Sequence, residues 1–227
     1  MGGIGSRFGS SIPKQFTFVD GKPIFVYILE AYRDSKFVDH ITIIVNSGWK
    51  DYAQELIMSY NLANCVSIVS GGKSRSESVK NALYSINGLA SSDDLVLIHD
   101  ATHPYFDKKA IRTAINKMKD YDGVTLCQHE YDTCYSISET SVISEIPKKT
   151  VVSGASPEIF RFGTLYRLFF SVSSEQLASM SSVGALVLSN NLSMGYVPTS
   201  FLNIKITYPE DMIIFKLLCS NYYFGDN

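Results

Sequence analysis

The sequence predicts an α/β fold, a mostly parallel sheet covered on both faces by helices, and three observations carry that reading. Short apolar runs alternate with amphipathic segments from residue 23 to residue 118, the apolar runs are continuous in the manner of buried strands, and 227 residues suffice for one compact domain with a full core. Residues 23–34 set Ile24, Tyr27, Ile28 and Ala31 on one stripe of a helix with proline in its first turn. "HITIIVN" (40–46) reads as a buried strand, 52–60 as a helix, "VSIV" (66–69) as a strand and "SESVKNALYSI" (76–86) as a helix. "DLVLIHD" (94–100) is an apolar run that ends abruptly in a carboxylate, and 110–118 is again helical. Past Gly123 the rhythm changes. "VTLCQH" reads as a strand, residues 130–155 hold short Ser/Thr/Tyr-rich β-type segments that suggest an antiparallel insertion or arm, and "FGTLYRLFF" (162–170) is helical. A strand near Ile204 is expected to lead through Pro209 into a final helix.

Composition narrows the function classes. A hydrophobic fraction of 45% and a charged fraction of 19% are those of a soluble globular protein, and no apolar run approaches the roughly 18–20 residues that span a bilayer. No leader-like segment follows Met1, so the cytoplasm is the expected compartment and no membrane partner is expected. A net charge of -2 argues against a nucleic-acid partner, which calls for a basic surface. Cys65, Cys127, Cys134 and Cys219 fit neither a zinc set nor a dense disulfide framework and read as reduced thiols. No repeat or linker-like tract divides the chain, so residues 1–227 read as a single domain with 130–155 as its arm.

In an open α/β sheet ligands sit at the carboxyl ends of the strands. "GGKSRSES" (71–78), "HDATHP" (99–104) and "NIKIT" (203–207) all follow apparent strands and should converge there. The opening "MGGIGSRFGSSIPKQF" would join them, since glycines let backbone N–H groups approach phosphate oxygens and Arg7 and Lys14 add positive charge. Taken alone, the glycine pattern also fits an ordinary turn. Lys14, fixed behind Pro13, could clamp the far side of a polyphosphate or lie solvated on a loop, and Asp100 could be a Mg2+ ligand or a cap.

Together these segments, with "GKPIFVYIL", "YDT" (131–133), "SPEIF" (156–160) and "NIKITYPEDM", resemble the cytidylyltransferases that activate sugar-alcohol phosphates, the family of 2-C-methyl-D-erythritol 4-phosphate and ribitol-5-phosphate cytidylyltransferases. The resemblance covers nearly the whole chain. It implies a Rossmann-like three-layer nucleotidyltransferase fold, transfer of CMP from CTP to a polyol phosphate, Mg2+ as the metal, and a homodimer formed through the arm. It gives Arg7, Lys14 and Lys205 the reacting phosphates, with Gly2, Gly3 and Gly5 in the phosphate loop. Gly71, Gly72 and Ser78 take the base and ribose, Arg75 supports that loop, and Asp100 is the carboxylate on the metal side. Asp132, Thr133 and Lys148 in the arm, with His103 and Ser181, fall on the acceptor side.

The chain departs from the family pattern chiefly on that acceptor side. His103 stands where the family carries Arg, Ser156 and Glu158 where it carries Thr and Gln, Ser181-Ser182-Val183 where carboxylates are expected, and Lys148 where Arg is usual. Lys73 replaces a small or acidic residue. The Trp in "NSGWKDYAQELI", the "EIPKK" segment and the "GG" opening lean toward D-ribitol 5-phosphate as acceptor, with 2-C-methyl-D-erythritol 4-phosphate as the alternative. A nucleotide-binding member of impaired turnover is a further reading, and so is a sugar-nucleotide glycosyltransferase, which would call for an Asp-x-Asp metal motif. The family also places a central strand ahead of the glycine loop. This sequence starts at the loop, which leaves a gap at the centre of the sheet to be accounted for by a start assigned too late, by rearrangement of the chain or by a partner.

Overall fold

The computed structural model describes residues 12–221, so Gly2, Gly3, Gly5 and Arg7 lie outside the described residues. A 3-10 turn at Lys14–Phe16 turns Gln15 and Phe16 inward, and β1 (Phe18–Val19) and β2 (Lys22–Pro23) form a minimal hairpin. Its turn, Asp20-Gly21, holds both residues at positive φ, which Asp and Gly tolerate. Helix α1 (Ile24–Ser35) starts behind Pro23 and ends at Lys36 in the left-handed region. Then come β3 (Ile41–Val45), α2 (Lys50–Ser59), β4 (Val66–Ser70), α3 (Arg75–Ser85), β5 (Leu95–Ile98) and α4 (Lys108–Lys117). Side-chain caps set two of these starts: Ser74 accepts from the Glu77 amide ahead of α3, and Asp107 accepts from the Ala110 amide ahead of α4.

The second half runs β6 (Gly123–His129), β7 (Cys134–Ile137), β8 (Val142–Ile146), β9 (Val152–Arg161), α5 (Phe162–Ser171), α6 (Ser174–Ser179), α7 (Val183–Ser189), β10 (Met194–Pro198) and α8 (Asp211–Asn221). Four strands pair in the order β10-β6-β9-β5, with β10 parallel to β6 and β9 antiparallel to both its neighbours. β3 and β4 form a separate parallel pair. Apart from β9, the strands of these two sheets end on one side, as the contact between Arg75 after β4 and Asp100 after β5 requires. The expected gap is there: among the described residues no strand lies between β3 and β5.

Helices cover both faces. Ile159 and Phe160, consecutive on β9, point in opposite directions, Ile159 into a core with α1 and α4, Phe160 into a core with α3, α5, α6 and α7. A third core packs α1 and α2 on β3 and β4, and a fourth joins α1 to α8. The segment at 203–207 does not form the expected strand. Ile206 donates to the Thr102 carbonyl at 2.8 Å, and the amides of Thr207 and Tyr208 turn to the Asp211 carboxylate, so the backbone is satisfied by loop and helix cap rather than by a ladder. Elements α6, α7 and β10, and the extension of β9 beyond residue 155, go beyond the sequence reading. All four cysteines are free thiols, and no helix among the described residues is long and apolar enough to cross a membrane.

Candidate active site

The carboxyl ends of the strands do gather the expected segments. Asp100, just past β5, accepts from Arg75 Nη2 at 3.1 Å and Nε at 3.3 Å on one oxygen, and from Lys205 Nζ at 2.9 Å on the other. Burial acts to raise the Asp100 pKa, but the two cations outweigh it and hold the carboxyl well below the usual carboxylate range. The Asp100 amide donates to Ser156 Oγ at 3.2 Å, which fixes where the carboxylate stands. Lys14 reaches the same edge from the other end of the chain, its Nζ donating to the Ile206 carbonyl at 2.6 Å, next in sequence to Lys205. Lys14, Arg75, Asp100 and Lys205 are thus assembled from four separate segments.

The loop after β4 is held from within. Gly71 donates to the Val45 carbonyl at 2.8 Å, Gly72 to Ser78 Oγ at 3.0 Å, and Ser78 Oγ in turn donates to the Ser74 carbonyl at 2.8 Å. Ser78 is buried, so its hydroxyl shapes the loop from inside. Gly72 has no room for a side chain, since a Cβ there would lie 2.4 Å from Glu77 Cγ, and Glu77 itself accepts from the Lys73 amide at 2.6 Å.

His103 is buried rather than turned outward. Asn203 Nδ2 donates to the Ser156 carbonyl at 2.8 Å, which leaves Asn203 Oδ1 to accept from His103 Nδ1 at 3.1 Å. His99 Nε2 donates to the His103 carbonyl at 2.7 Å and its Nδ1 accepts from the Tyr32 hydroxyl at 2.9 Å, and burial lowers its pKa to about 4. Burial lowers His103 as well, so both imidazoles are neutral near pH 7. Asn203→Ala leaves the Ser156 carbonyl and His103 Nδ1 unpartnered in the interior. The expected cost is about 2–3 kcal/mol, read by denaturant unfolding, and a loss within about 0.5 kcal/mol would show that the cluster holds nothing.

Glu158 lies beside this edge and accepts from the Gly184 amide at 3.1 Å, tying β9 to α7. Burial raises its pKa above the ordinary 4.5, against the lowering effects of Arg75 and the Gly184 amide, and nearby Asp100 adds to the rise. A raised folded-state pKa means stability that is fully present below pH 4.5 and is lost as pH rises through the folded value. Glu158→Gln keeps the Gly184 bond and removes that loss, so the variant is expected to melt higher than the parent at pH 7 and level with it at pH 4. A lower melting temperature at pH 7 would contradict this.

The remaining acceptor-side candidates stand elsewhere. Asp132 and Thr133 are exposed just ahead of β7, and Lys148 Nζ donates to the Tyr131 carbonyl at 2.7 Å, bracing that loop. Ser181 is exposed, while Ser182 caps α7 by accepting from the Ala185 amide at 3.0 Å. None of these contacts reaches Asp100, Arg75 or Lys205. Ser156 and Asn203, which position the site from behind, had a signal in "SPEIF" and "NIKIT", but no spacing rule pairs residues so far apart in sequence. The one Asp-x-Asp run in 120–122 sits ahead of β6, at the opposite end of the strands, and its Asp122 accepts from the Ser193 amide and hydroxyl at 2.8 Å.

Lysine, arginine and the Asp100 carboxylate thus gather at the carboxyl edge of a sheet covered by helices, and relatives by sequence are named cytidylyltransferases, which are nucleotidyltransferases. Residues 1–220 match the 2-C-methyl-D-erythritol 4-phosphate cytidylyltransferase (IspD) family, and the chain belongs to that family. It is 32% identical over 218 residues to a 2-C-methyl-D-erythritol 4-phosphate cytidylyltransferase of Clostridium botulinum, covering 96% of this chain and 95% of that one. It is 28% identical over 219 residues to a ribitol-5-phosphate cytidylyltransferase of Streptococcus agalactiae, covering 96% and 92%. The crystal structure of the Francisella tularensis 2-C-methyl-D-erythritol 4-phosphate cytidylyltransferase superposes with a TM-score of 0.78 at 25% identity, covering 95% of each chain.

Proposed function

We propose that this chain transfers CMP from CTP to a polyol phosphate, with D-ribitol 5-phosphate as the acceptor, and works as a cytoplasmic homodimer joined through the 130–155 arm. The observation that carries the reading is the meeting of Lys14, Arg75, Asp100 and Lys205 at one sheet edge. A phosphate oxygen of the acceptor attacks the α-phosphorus of CTP in line. One P–O bond forms, the bond to the bridging α–β oxygen breaks, and pyrophosphate leaves with that oxygen. A phosphate monoester with a second pKa of about 6 is already ionised near neutrality, so no strong general base is needed. Lys14 and Lys205, with Arg7 from the glycine loop, balance the charge that develops on the phosphoryl oxygens, and the loop at Gly71 and Gly72 with Arg75 holds the nucleoside side.

Among the described residues no three His, Cys, Asp or Glu side chains cluster, and Asp100 is the carboxylate at this edge. One carboxylate suits Mg2+, which keeps most of its shell as phosphate oxygens and water. Asp100 would hold that ion, which supplies charge neutralisation on the triphosphate. A second reading, 2-C-methyl-D-erythritol 4-phosphate as acceptor, is favoured by the relative at 32% identity, which bears that name.

The test is pyrophosphate release with CTP and Mg2+ against ribitol 5-phosphate, 2-C-methyl-D-erythritol 4-phosphate and other polyol phosphates. Release with ribitol 5-phosphate is expected. Release with 2-C-methyl-D-erythritol 4-phosphate alone moves the assignment to the second reading, and silence with every acceptor overturns the enzyme reading.

A further inference from the structure

The segment that presents Lys205, residues 199–207 between β10 and α8, forms neither helix nor strand. The β10–β6 ladder ends where Thr199 donates to the Cys127 carbonyl at 2.9 Å, and beyond that point side chains take over from backbone pairing. Asp107 Oδ2 accepts from the Thr199 hydroxyl at 2.8 Å and from the Ser200 amide at 3.0 Å. Gln128, next on β6 after Cys127, donates from Nε2 to the Ser200 carbonyl at 3.0 Å and to the Asn203 carbonyl at 3.3 Å, using both hydrogens of its amide. Those carbonyls are the two ends of one turn, which the Asn203 amide closes by donating to Ser200 at 3.0 Å. Past the turn, Ile206 donates to the Thr102 carbonyl at 2.8 Å, its own carbonyl accepts from Lys14, and Lys205 reaches Asp100. Lys205 is half-exposed, so its place depends on the backbone beneath it.

We propose that Gln128 is a positioning residue for the transfer reaction: by bonding both ends of the 200–203 turn it fixes the strap whose Lys205 side chain and Ile206 carbonyl place the two lysines at the reacting phosphates. The role rests on the CMP transfer proposed above. Strand β6 lies between β10 and β9, so Gln128 refers the strap to the interior of the sheet. Asn203 ties the same strap to Ser156 and His103, and Asp107 ties it to the start of α4. Gln128 differs from Asn203 in being half-buried, so its loss frees the turn without opening the buried cluster around His103. The nucleoside loop is held independently, by Gly71 on Val45 and Gly72 on Ser78, so the strap can loosen while that loop stays in place.

The test is Gln128→Ala and Gln128→Glu in the full chain, read by residue-resolved amide exchange and by pyrophosphate release with CTP and the acceptor that the parent uses. Glutamate keeps the size and shape of glutamine but, ionised, cannot donate. In both variants the Asn203 and Ile206 amides are expected to exchange about three- to tenfold faster, as fits the loss of one or two hydrogen bonds, with the Gly72 amide unchanged. Turnover is expected to fall about tenfold or more while KM for CTP stays within about twofold. Unchanged exchange at Asn203 and Ile206 would overturn the proposal. So would Gln128→Glu matching the parent, which would mean that the side chain only fills space, and so would a raised KM for CTP with kcat unaltered. Silence of the parent with every acceptor would be a failure of the proposed function instead, and the exchange measurement would still decide whether Gln128 holds the strap.

Discussion

Lys14→Ala is expected to lower turnover by about 10²–10³-fold while the protein stays folded, the loss seen when one preorganised donor to a developing charge is removed. The side chain is held in place by what surrounds it. Pro13 leads into the 3-10 turn, Gln15 and Phe16 turn inward, and the Phe16 ring stacks on Trp49 at 5.5 Å and meets Phe25 and Tyr52 edge-on at 5.4 Å. Those aromatic contacts survive the substitution, so the melting temperature should move little. On the proposed mechanism the lysine meets charge that grows on the way to the transition state, so kcat should fall more than KM rises. Lys14→Met, which keeps the aliphatic stem without the charge, should be as impaired as alanine. Pyrophosphate release near the parent rate from either variant would remove Lys14 from the mechanism.

The largest stability effect belongs to Phe160→Ala, expected to cost about 3–5 kcal/mol. Phe160 sits on β9 between its partners Val96 on β5 and Gly123 on β6, fully buried in the core beneath α3, α5 and α7. Its ring covers the space above Gly123, where an added Cβ would lie 2.5 Å from Phe160 Cε1, so ring and glycine fit each other. Removing the ring leaves a cavity walled by strands on a paired sheet, which cannot collapse inward as a loop would. Denaturant unfolding reads the loss, and a change below about 1.5 kcal/mol would mean the sheet had closed over the void. Phe160→Leu should recover roughly half.

Much of this was legible before the structure, and the exceptions have physical causes. Helices α1 to α5 fall within two residues of their expected bounds, because each carries a helical stripe, and α1, α3 and α4 also start at a proline or a side-chain cap. Strand β9 continues through Pro157, a residue that argues against a strand; it is tolerated because the register jumps there, with Thr125 opposite Glu158 and Leu126 opposite Ala155. Helix α7 is short and apolar nearly all round, so it offers no stripe to read. The convergence of Asp100, Arg75 and Lys205 followed from the rule that strand ends gather ligands. The inward turn of His103 did not, because it depends on Asn203, a hundred positions later.

Helix α1 touches three of the four cores: Phe25, Val26 and Leu29 pack with β3 and α2, Ile28 and Tyr32 with α4 and β9, Ile24 and Tyr27 with α8. In a continuous sheet the ladder of backbone bonds passes mechanical load from one strand to the next. Among the described residues that ladder stops between β3 and β5, and the load passes there through the side chains of α1 and of α3, which packs on β3 and β4 as well as on α5. The coupling of the β3-β4 half to the rest is therefore carried by these two helices, and softening α1 is expected to let that half melt ahead of the rest, splitting one unfolding transition into two.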